Sequence, residues 1–393
     1  MSGTLIDLAE RGLIPLPGLR FGVRRLLEQR LAEAARGPSV DAFCDELRES
    51  PVALVPEKAN EQHYEVPPDF FQLVLGEHLK YSGAYWPEGV RSLDAAERAM
   101  LEVTAERADL ADGQDILELG CGWGSLTLHM ARTYPNARIT AVSNSAPQRR
   151  FIEARAPENV RVVTADMNDL VRNDEGRLGG PFDRVVSVEM FEHMRNYRAL
   201  LHRVRTWMKD DGRLFVHVFC HNRYAYPFET EGADNWMGRY FFSGGIMPSF
   251  DLFHHFEDDL VIEEEWRVNG VHYGKTAQAW RELLEARKSR VMSVLRETYG
   301  HDAPRWFHRW RLFFLACEEL FGYHGGEEWL APLRFLVGAE GLVEVMCGHG
   351  EVAQQDLGFG VVRNPLDVLG EVLPRSLPLA AIDELQDRRE RPG

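Results

Sequence analysis

Cysteine is scarce in this chain of 393 residues: there are five, they are scattered, and no two form a CxxC pair. Positive charge is also in short supply, because 45 Lys and Arg side chains stand against 61 Asp and Glu, which gives a formal net charge of -16. The sequence therefore argues against a disulfide framework and a zinc site. It also argues against a nucleic-acid-binding surface and against strong docking on anionic membranes.

Long uncharged apolar runs are missing as well. A membrane-spanning helix needs about 20 predominantly apolar residues in succession. The amino-terminal MSGTLIDLAERG lacks the positive-then-apolar pattern of a secretory signal. We therefore expect a soluble, cytoplasmic protein that makes no stable membrane association, with a homodimer left open.

What the chain does have, from residue 112 onwards, is an alternation of short β-branched segments with amphipathic ones. Strands are predicted in QDILEL, ARITAVS, VRVVTAD, FDRVVSV and GRLFVHVF, with helices in SLTLHMARTY, QRRFIEA and NYRALLHRVRTWM. This alternation is typical of βαβ units. It predicts an α/β fold with a mainly parallel sheet that is covered by helices on both faces.

The two ends of the chain follow other patterns. Residues 5–50 have apolar positions at helical spacing, interrupted at Gly37-Pro38, and are predicted to be helical. After residue 234 we expect a strand in DLVIEEEWRV, one helix over 275–299, another over 304–322, and a closing strand in WLAPLRFLV.

The first predicted strand runs into a glycine-rich turn, LELGCGWGSL, that precedes a helix. Gly120, Gly122 and Gly124 occupy alternate positions, where glycine permits positive φ and lets a ligand approach the backbone closely. Such a turn is shared by NAD, flavin and S-adenosylmethionine (SAM) sites. The GxGxG spacing, with Glu118 two residues ahead, differs from the GxGxxG of dinucleotide folds and favours SAM.

The next two strands end in residues suited to an adenosine. Asn144 and Gln148 follow the second strand, so that an amide would meet the ribose diol, where a nicotinamide enzyme more often has Asp or Glu. After the third strand, Asp166 can accept from the adenine amino group and Met167 can cover the ring. Asn and Asp are also common in helix caps and turns, which is the alternative interpretation of Asn144 and Asp166. Because the carboxyl ends of parallel strands meet at one edge of the sheet, we expect a ligand site there.

The fourth strand ends in EMFEH, which places Glu189, Glu192 and His193 beside the same edge. One interpretation is that they form the first turn of the next helix, where carboxylates interact well with the helix dipole. The helix-dipole interpretation accounts for one acid but not for two acids and an imidazole together. We therefore favour a catalytic role for these residues. Methyl transfer depends largely on positioning. An amine nucleophile must lose a proton, which a His–Glu unit can accept while the second carboxylate holds the cation.

Other residues in the second half of the chain are weaker candidates. The aromatic side chains that could form a pocket and attract a cationic amine are Phe241, Phe242, Tyr273 and Trp329. Each of them, taken singly, is more often an ordinary core residue. Two spots, His254-His255 near Asp258 and Cys347 near His349, lack a complete metal-ligand set and are interpreted as surface residues.

Together these motifs resemble the cyclopropane-fatty-acid synthase superfamily of SAM-dependent enzymes, and more closely its coclaurine N-methyltransferase-like branch, which acts on benzylisoquinoline alkaloids. The resemblance covers about residues 64–337 and includes HYEVP, LKYSGAYW, LDAAERAMLE, LELGCGWGSLTLH, AVSNS, SVEMFEHMRNY, WRVNGVHYGKT and FGYHGGEEW. It implies a Rossmann-like class I methyltransferase domain over residues 106–337, with a helical insert at about 275–325. It also implies a helical N-terminal region over residues 1–105 that covers the active site, whereas residues 338–393 have no assigned role.

The resemblance also implies roles for individual residues. SAM contacts are implied at Ser82, Gly120, Asn144, Gln148, Asp166 and Met167, to which the glycine loop adds Glu118 and Gly122. The catalytic pair is implied at Glu192 and His193, with Glu189 and Glu65 facing the amine, and the substrate pocket at Phe241, Tyr273 and Trp329. The resemblance thus predicts a SAM-dependent N-methyltransferase that acts on a small cyclic or aromatic amine.

Two positions distinguish the branches of this superfamily. Gly83 stands where cyclopropane synthases carry a cysteine that helps to hold bicarbonate, and Glu189 stands where they have a small residue. Both departures favour N-methylation, because an amine needs a carboxylate. His217 and Tyr273, however, match positions that the lipid enzymes use, and the plant N-methyltransferases commonly keep the cysteine. A cyclopropane or methyl-branched fatty acid synthase is therefore the alternative, and a SAM-binding regulatory protein would be expected to have lost Glu192 or His193.

Overall fold

A seven-stranded sheet forms the centre of the structure, a computed structural model that describes residues 3–54, 66–170, 178–232 and 235–339. Its strands are β1 (Asp115–Leu119), β2 (Arg138–Ser143), β3 (Val160–Thr164), β4 (Phe182–Val188), β5 (Met208–His217), β6 (Leu260–Trp266) and β7 (Leu333–Gly338). They lie in the order β3-β2-β1-β4-β5-β7-β6. Strands β1 to β5 run parallel, and β7 is antiparallel to β5 and β6. The predicted α/β fold with a mainly parallel sheet is confirmed.

The composition of β1 and β4 explains their central position. Ile116, Leu117 and Val185 have no solvent-exposed surface. A central strand of a parallel sheet has helices on both sides and therefore needs a nearly continuous apolar run. In the register of the sheet, Leu119 at the end of β1 pairs with Val142 of β2, so the carboxyl ends of these strands meet at one edge.

Helices precede the sheet, alternate with its parallel strands and fill much of the chain between β6 and β7. They are α1 (Gly3–Glu10), α2 (Leu16–Ala34), α3 (Val40–Glu49), α4 (Pro68–Val74), α5 (Leu93–Arg107), α6 (Ser125–Thr133), α7 (Ala146–Glu153), α8 (Tyr197–Trp207), α9 (Trp236–Tyr240), α10 (Val271–Ala286), α11 (Lys288–Tyr299) and α12 (Ala303–Phe321). Side-chain caps define several starts, because Ser92 accepts from the Ala95 N–H and Ser145 from the Gln148 N–H.

The prediction of a single helix over residues 275–299 is wrong. The chain forms two helices there, α10 and α11, which meet at Arg287. Arg287 leaves the helical conformation, with φ -102° and ψ 21°. Its guanidinium Nη1 donates to the Leu73 carbonyl, 2.8 Å away at the end of α4. The break is therefore set by docking onto α4, a tertiary contact with no Gly or Pro signal in the local sequence.

The closing strand predicted in WLAPLRFLV is also divided. Trp329–Leu330 pairs with Cys220–His221, while β7 begins at Leu333 and joins the large sheet. Pro332 lies between the two pieces. Because proline has no N–H to donate, it interrupts a continuous ladder, and the two pieces pair with different partners.

The amino-terminal helices are held to α12 by ion pairs. Arg24 Nε lies 2.5 Å from Glu319 of α12, and Arg20 Nη2 lies 2.6 Å from Glu318. At the end of α1, the buried Glu10 accepts from Trp236 Nε1 at 2.8 Å and from Arg309 Nε at 3.0 Å. The helical prediction for residues 5–50 is confirmed. Helices α1 and α2 pack against α12, whereas α3 packs against α8 and the short helix Leu252–Phe256.

None of the helices in the described ranges combines the length and the apolar character that crossing a lipid bilayer requires.

Candidate active site

The glycine turn after β1 packs closely against its surroundings at two of its three glycines. All three have positive φ: 81° at Gly120, 53° at Gly122 and 81° at Gly124. A Cβ on Gly120 would lie 2.8 Å from the side chain of Met190, and one on Gly124 would lie 2.7 Å from Ile152. A Cβ on Gly122 would meet nothing within 4 Å. The first and third glycines thus permit close packing, whereas Gly122 faces open space.

Two adjoining cavities open at this edge of the sheet, and Gly120, Gly122, Gln148 and His193 line both of them. The one at the ends of β2 and β3, the strand-side cavity, is lined also by Ala53, Val142, Ser143, Asn144, Ala165, Asp166, Met167, Met190, Met194, Ser243 and Gly244. The other, the helix-side cavity, is lined also by Leu79, Lys80, Tyr81, Ser82, Leu101, Thr104, Glu118, Cys121, Trp123, Ser125, Leu126, Val188, Glu189, Phe219, Phe242, Tyr273, Trp280, Phe313 and Cys317.

The strand-side cavity holds polar groups that fit an adenosine. Gln148 is buried and its Oε1 accepts from Ser143 Oγ at 2.7 Å, while its Nε2 has no hydrogen-bond partner among the described residues. A buried donor without a partner is costly unless a ligand or water satisfies it. Together with the open side of Gly122, this donor shows that the site fits SAM.

Asn144 and Asp166 have the positions expected of ligand-binding residues. Asn144 lines the cavity and is not the helix cap, because Ser145 caps α7. Asp166 also lines the cavity, and its Oδ1 accepts from the Asn168 N–H at 2.7 Å. The turn interpretation of Asp166 is therefore confirmed without removing the carboxylate from the cavity.

The amino-terminal region contributes to this cavity in a way that was not predicted. The Asn168 side chain donates to the Ala53 carbonyl and accepts from the Ala53 N–H, both at 3.0 Å. Ala53 itself lines the cavity. Such a backbone contact carries no residue-type signal in a sequence.

Glu118, at the end of β1, presents a buried carboxyl to the helix-side cavity. Its Oε2 accepts from Thr127 Oγ1 at 2.5 Å. Burial raises the pKa of Glu118 to about 8, against the smaller lowering by the Thr127 hydrogen bond. A cationic amino group, such as that of the methionine moiety of SAM, would stabilise the ionised form.

Glu189 is held by hydrogen bonds at both carboxylate oxygens. Oε1 accepts from the Gly83 N–H and Oε2 accepts from the Tyr273 hydroxyl, each at 2.7 Å. The backbone of Glu189 has φ 50°, and its N–H donates to the His217 carbonyl at 2.8 Å. Burial raises the pKa of Glu189, while the charge of Lys80 opposes that shift. The carboxylate is therefore fixed at the wall of the helix-side cavity.

His193 is the side chain of EMFEH that lies between the cavities. It belongs to a single 3-10 turn, Phe191–His193, and α8 starts only at Tyr197, so the first-turn interpretation is wrong. The imidazole stacks on Phe242, with ring centroids 4.6 Å apart and an interplanar angle of 18°. Burial lowers the pKa of His193 to about 4, so the ring is neutral at pH 7.

Glu192 lies deeper than its neighbour. It has no exposed surface and is not among the residues that line the two cavities. Its Oε1 accepts from the Phe219 N–H at 2.6 Å, and Oε2 has no hydrogen-bond partner among the described residues. Burial, with the Glu189 charge adding to it, raises the pKa of Glu192 well above its ordinary value.

The aromatic candidates divide between cavity and core. Tyr273 lines the helix-side cavity and stacks on Phe321 at 4.1 Å. Phe242 lines it too, whereas Phe241 is fully buried against other aromatic rings and lines neither cavity. Trp329 is also fully buried outside both cavities, with Nε1 donating to Tyr226 at 3.0 Å. Ser82 lines the helix-side cavity, and Glu65 lies outside the described residues.

Several residues of the helix-side cavity were missed in the sequence. They are Lys80, Tyr81, Trp280, Phe313 and Cys317. Helical spacing offered a signal for some, because Trp280 follows Tyr273 by two turns and Cys317 follows Phe313 by one. A lone lysine before a tyrosine offers none.

The two histidines of the first spot, His254 and His255, are half-buried and ion-paired. His254 pairs with Glu257 and Glu265, and His255 pairs with Asp41. Within the described ranges no group of His, Cys, Asp and Glu is placed to hold a metal ion. Cys347 and His349 lie outside those ranges.

The strand order, the glycine turn and the polar ends of β2 and β3 define a SAM-dependent methyltransferase of the class I fold. The model of the mycolic acid cyclopropane synthetase family matches residues 55–325. The chain belongs to that family.

Relatives narrow the activity. The (S)-coclaurine N-methyltransferase of Thalictrum flavum subsp. glaucum is 36% identical over 342 residues, covering 83% of this chain and 93% of its own length. The crystal structure of a coclaurine N-methyltransferase bound to N-methylheliamine and SAH superposes with a TM-score of 0.79 at 34% identity, covering 85% of this chain and 99% of that one. The cyclopropane-fatty-acyl-phospholipid synthase of Escherichia coli (strain K12) is 28% identical over 66% of this chain and 63% of its own length. The chain is therefore a SAM-dependent N-methyltransferase, and SAM is its cofactor.

Proposed function

We propose that the enzyme methylates the nitrogen of a small cyclic or aromatic amine of the benzylisoquinoline kind. The observation that carries this proposal is Glu189, whose two oxygens are fixed by Gly83 and Tyr273 at the wall of a cavity rich in aromatic side chains. A fixed carboxylate suits a cationic nitrogen, and aromatic faces suit both a cation and a flat ring system. Two relatives, an (S)-coclaurine N-methyltransferase and a pavine N-methyltransferase, are named for substrates of the same class and support this proposal.

The two cavities suggest how the reactants are arranged. SAM would be held by the glycine turn and the strand-side cavity, through Gly120, Gly122, Asn144, Gln148, Asp166 and Met167, and by Glu118 and Ser82 on the helix side. When bound, SAM supplies a methyl group activated by a positively charged sulfur. The chain's own part is then to align the amine, to exclude water and to remove a proton.

Glu189 and His193 divide the work on the amine. The carboxylate of Glu189 holds the protonated nitrogen, and Glu65 is proposed to face the same amine. The neutral imidazole of His193, between the cavities, accepts the proton and frees the nitrogen lone pair. We assign the general base to the Glu192–His193 pair, with the imidazole as the member that meets the substrate, because Glu192 is fully buried and lines neither cavity.

The aromatic wall is proposed to select the substrate. Tyr273, Trp280 and Phe313 face the helix-side cavity from α10 and α12. We retain Phe241, which stacks on Phe313, as a residue that supports this wall from the core, and Trp329, which donates to Tyr226, as a core residue outside it.

We infer the domain organisation from the resemblance in sequence and from the order of the described helices and strands. A helical region over residues 1–105 covers the active site, the methyltransferase domain spans 106–337 with its insert at about 275–325, and residues 338–393 form an extension. Free, buried cysteines at Cys44, Cys121, Cys220 and Cys317 support a reducing, cytoplasmic setting. A homodimer is compatible with this arrangement.

Modification of unsaturated acyl chains is the second candidate function. It is favoured by His217, which is fully buried and has no hydrogen-bond partner at either ring nitrogen among the described residues. Against it, Glu189 stands where the lipid enzymes have a small residue, and its carboxylate is fixed by the Gly83 N–H and the Tyr273 hydroxyl.

The test is a methyl-transfer assay with labelled SAM on a panel of cyclic aromatic amines and, in parallel, on unsaturated phospholipid vesicles. We expect label on an amine, reduced about 100-fold in Glu189→Gln and unchanged in the control Glu153→Gln, an exposed position on α7. Label found only in lipid would refute the proposal and favour the second candidate.

A further inference from the structure

Lys80 is a buried cation that the sequence interpretation and the proposed mechanism leave unused. It is 3% exposed and lines the helix-side cavity. Its Nζ donates to Ser82 Oγ at 2.5 Å and to the Gly83 carbonyl at 2.8 Å. The ammonium group therefore fixes the turn formed by residues 80–83.

Gly83 connects this ammonium group to Glu189. Its carbonyl accepts from Lys80 and its N–H donates to Glu189 Oε1 at 2.7 Å, so the same residue is held from both sides. A Cβ at this position would lie 3.2 Å from the Tyr273 ring and 3.5 Å from Glu189 Oε1. The turn and the carboxylate are thus in close contact, and a displacement of one would displace the other.

Two carboxyl groups, those of Glu189 and Glu97, interact with the charge of Lys80. Glu97 of α5 is fully buried and accepts the N–H groups of Gly76 and His78, each at 2.9 Å. Burial lowers the pKa of Lys80 to about 8, while the charges of Glu189 and Glu97 oppose the shift. The other titratable groups that interact with Lys80 or with Glu189 include Glu192 of the Phe191–His193 turn, His217 of β5, Tyr273 of α10 and Cys317 of α12.

We propose that Lys80 is a positioning residue for Glu189: through Gly83 it aims the carboxylate at the substrate nitrogen, and its positive charge limits how firmly the site holds the amine in its protonated form. This inference rests on the proposed amine function. A carboxylate alone would stabilise the ammonium form, which has no lone pair and cannot accept a methyl group. A second cation nearby opposes that effect and favours release of the proton to the base.

The kinetic test compares Lys80→Met with Lys80→Arg and with Lys275→Met, an exposed lysine on α10. For Lys80→Met we expect an unchanged or lower KM for the amine, a kcat about tenfold lower, and an acid limb of the kcat profile about one pH unit higher. Lys80→Arg should restore the position of the limb, and Lys275→Met should leave the profile unchanged. A uniform loss of kcat without movement of the limb would show a merely structural role and overturn the proposal.

A second measurement is independent of turnover. The sequence has five lysines, so 13Cε-lysine labelling gives few resonances, and Lys80→Arg assigns that of Lys80. Glu189→Gln should lower the measured pKa of Lys80 by about one unit, and the control Glu153→Gln should not. If the measured pKa of Lys80 is the same in Glu189→Gln as in the native enzyme, the proposal is overturned, even where amines are methylated. If the enzyme methylates no amine, the proposed function fails, while this titration still decides the coupling of Lys80 to Glu189.

Discussion

At the scale of single residues, the site depends on backbone conformations that side chains rarely adopt. Glu189 has φ 50°, where a non-glycine residue carries a cost of about 1–2 kcal/mol. Its N–H still bonds to His217 at the end of β5. The conformation ends β4 abruptly and directs the carboxylate into the cavity. The hydrogen bond to His217 of β5 offsets part of the conformational cost.

Gly122 offers a matched test of the cofactor site. Gly122→Ala and Gly113→Ala both place a side chain at positive φ, and neither new Cβ meets a protein atom within 4 Å. Each should cost about 1 kcal/mol of stability. Only Gly122 lines the cavities, so only Gly122→Ala should weaken SAM binding, by tenfold or more, in calorimetric titration. Equal SAM affinities for the two variants would contradict the assignment of the cavity.

The pH profile should report the low basicity of His193. Burial lowers the pKa of His193 to about 4, so its imidazole stays neutral from pH 5 to 9. We therefore expect kcat to show no ionisation near pH 6.5 that depends on this residue. Measurement of kcat across that range, in the native enzyme and in His193→Asn, checks this. An inflection near 6.5 that disappears in His193→Asn would show that the ring titrates normally.

The sequence predicted the location of residues whose position follows from residue type and spacing. The glycines of the turn, Asn144 and Asp166 could be placed because strand ends of a parallel sheet converge. Glu192 and His193 could not be told apart, because adjacent residues in a tight turn point to different depths, and only the tertiary structure shows which one reaches the cavity. For the same reason, the sequence could not show that Phe242 lines the cavity while the adjacent Phe241 is buried in the core.

At the scale of elements, α1, α2 and α12 form one unit through charged contacts. Glu10, at the end of α1, is buried between Trp236, Arg305 and Arg309. A buried carboxylate with charge-assisted hydrogen bonds contributes more than an exposed pair. The helices could be predicted from periodicity, but their partners could not, because ion pairs between distant segments leave no local pattern.

Replacing Glu10 should therefore loosen this unit. Glu10→Ala removes the acceptor of Trp236 and Arg309 and should lower the free energy of unfolding by about 2 kcal/mol in urea denaturation. Glu28→Ala, at an exposed position of α2, should change it by less than about 0.5 kcal/mol. Similar losses in both variants would mean that the buried acid has no special role.

The short helix Leu252–Phe256 and β6 share a histidine whose charge should stabilise the fold. Burial alone would lower the pKa of His254, but hydrogen bonds and charges from Glu257 and Glu265 outweigh it and raise the pKa to about 9. Since the unfolded value is near 6.5, the stabilisation is complete below that pH and is lost as the pH rises through 9.

His254→Gln tests this pH dependence. It should lower stability by about 2 kcal/mol at pH 6 and by little at pH 9.5, measured by denaturation at both values. His202→Gln, which affects an exposed ring beside Asp259, serves as the control. A loss from His254→Gln that is the same at both pH values would exclude a charge effect.

At the scale of the whole molecule, the topology brings distant segments to one edge. The strand-side cavity is built mostly from residues 120–194, whereas the helix-side cavity takes much of its wall from residues 79–82 and from α10 and α12. Alternating strands and helices made the sheet predictable. The wall was harder to predict, because it depends on how the helices pack over the sheet rather than on their own periodicity.

The net charge of the molecule leads to a prediction about lipid. With a formal charge of -16, the protein should stay in the supernatant when anionic phospholipid vesicles are sedimented at about 0.15 M salt. Vesicles of zwitterionic lipid provide the comparison. Binding to anionic vesicles alone would reveal a local basic surface and strengthen the acyl-chain alternative.

The separate origin of the two cavity walls has a consequence for evolution and for biocatalyst engineering. Mutations in α10 and α12 can reshape the helix-side cavity without touching Asn144, Asp166 or Met167. A lineage can therefore diversify its acceptors while its methyl donor stays constant. For the same reason, a library randomised at Trp280, Phe313 and Cys317 should yield altered acceptor scope at little loss of donor affinity.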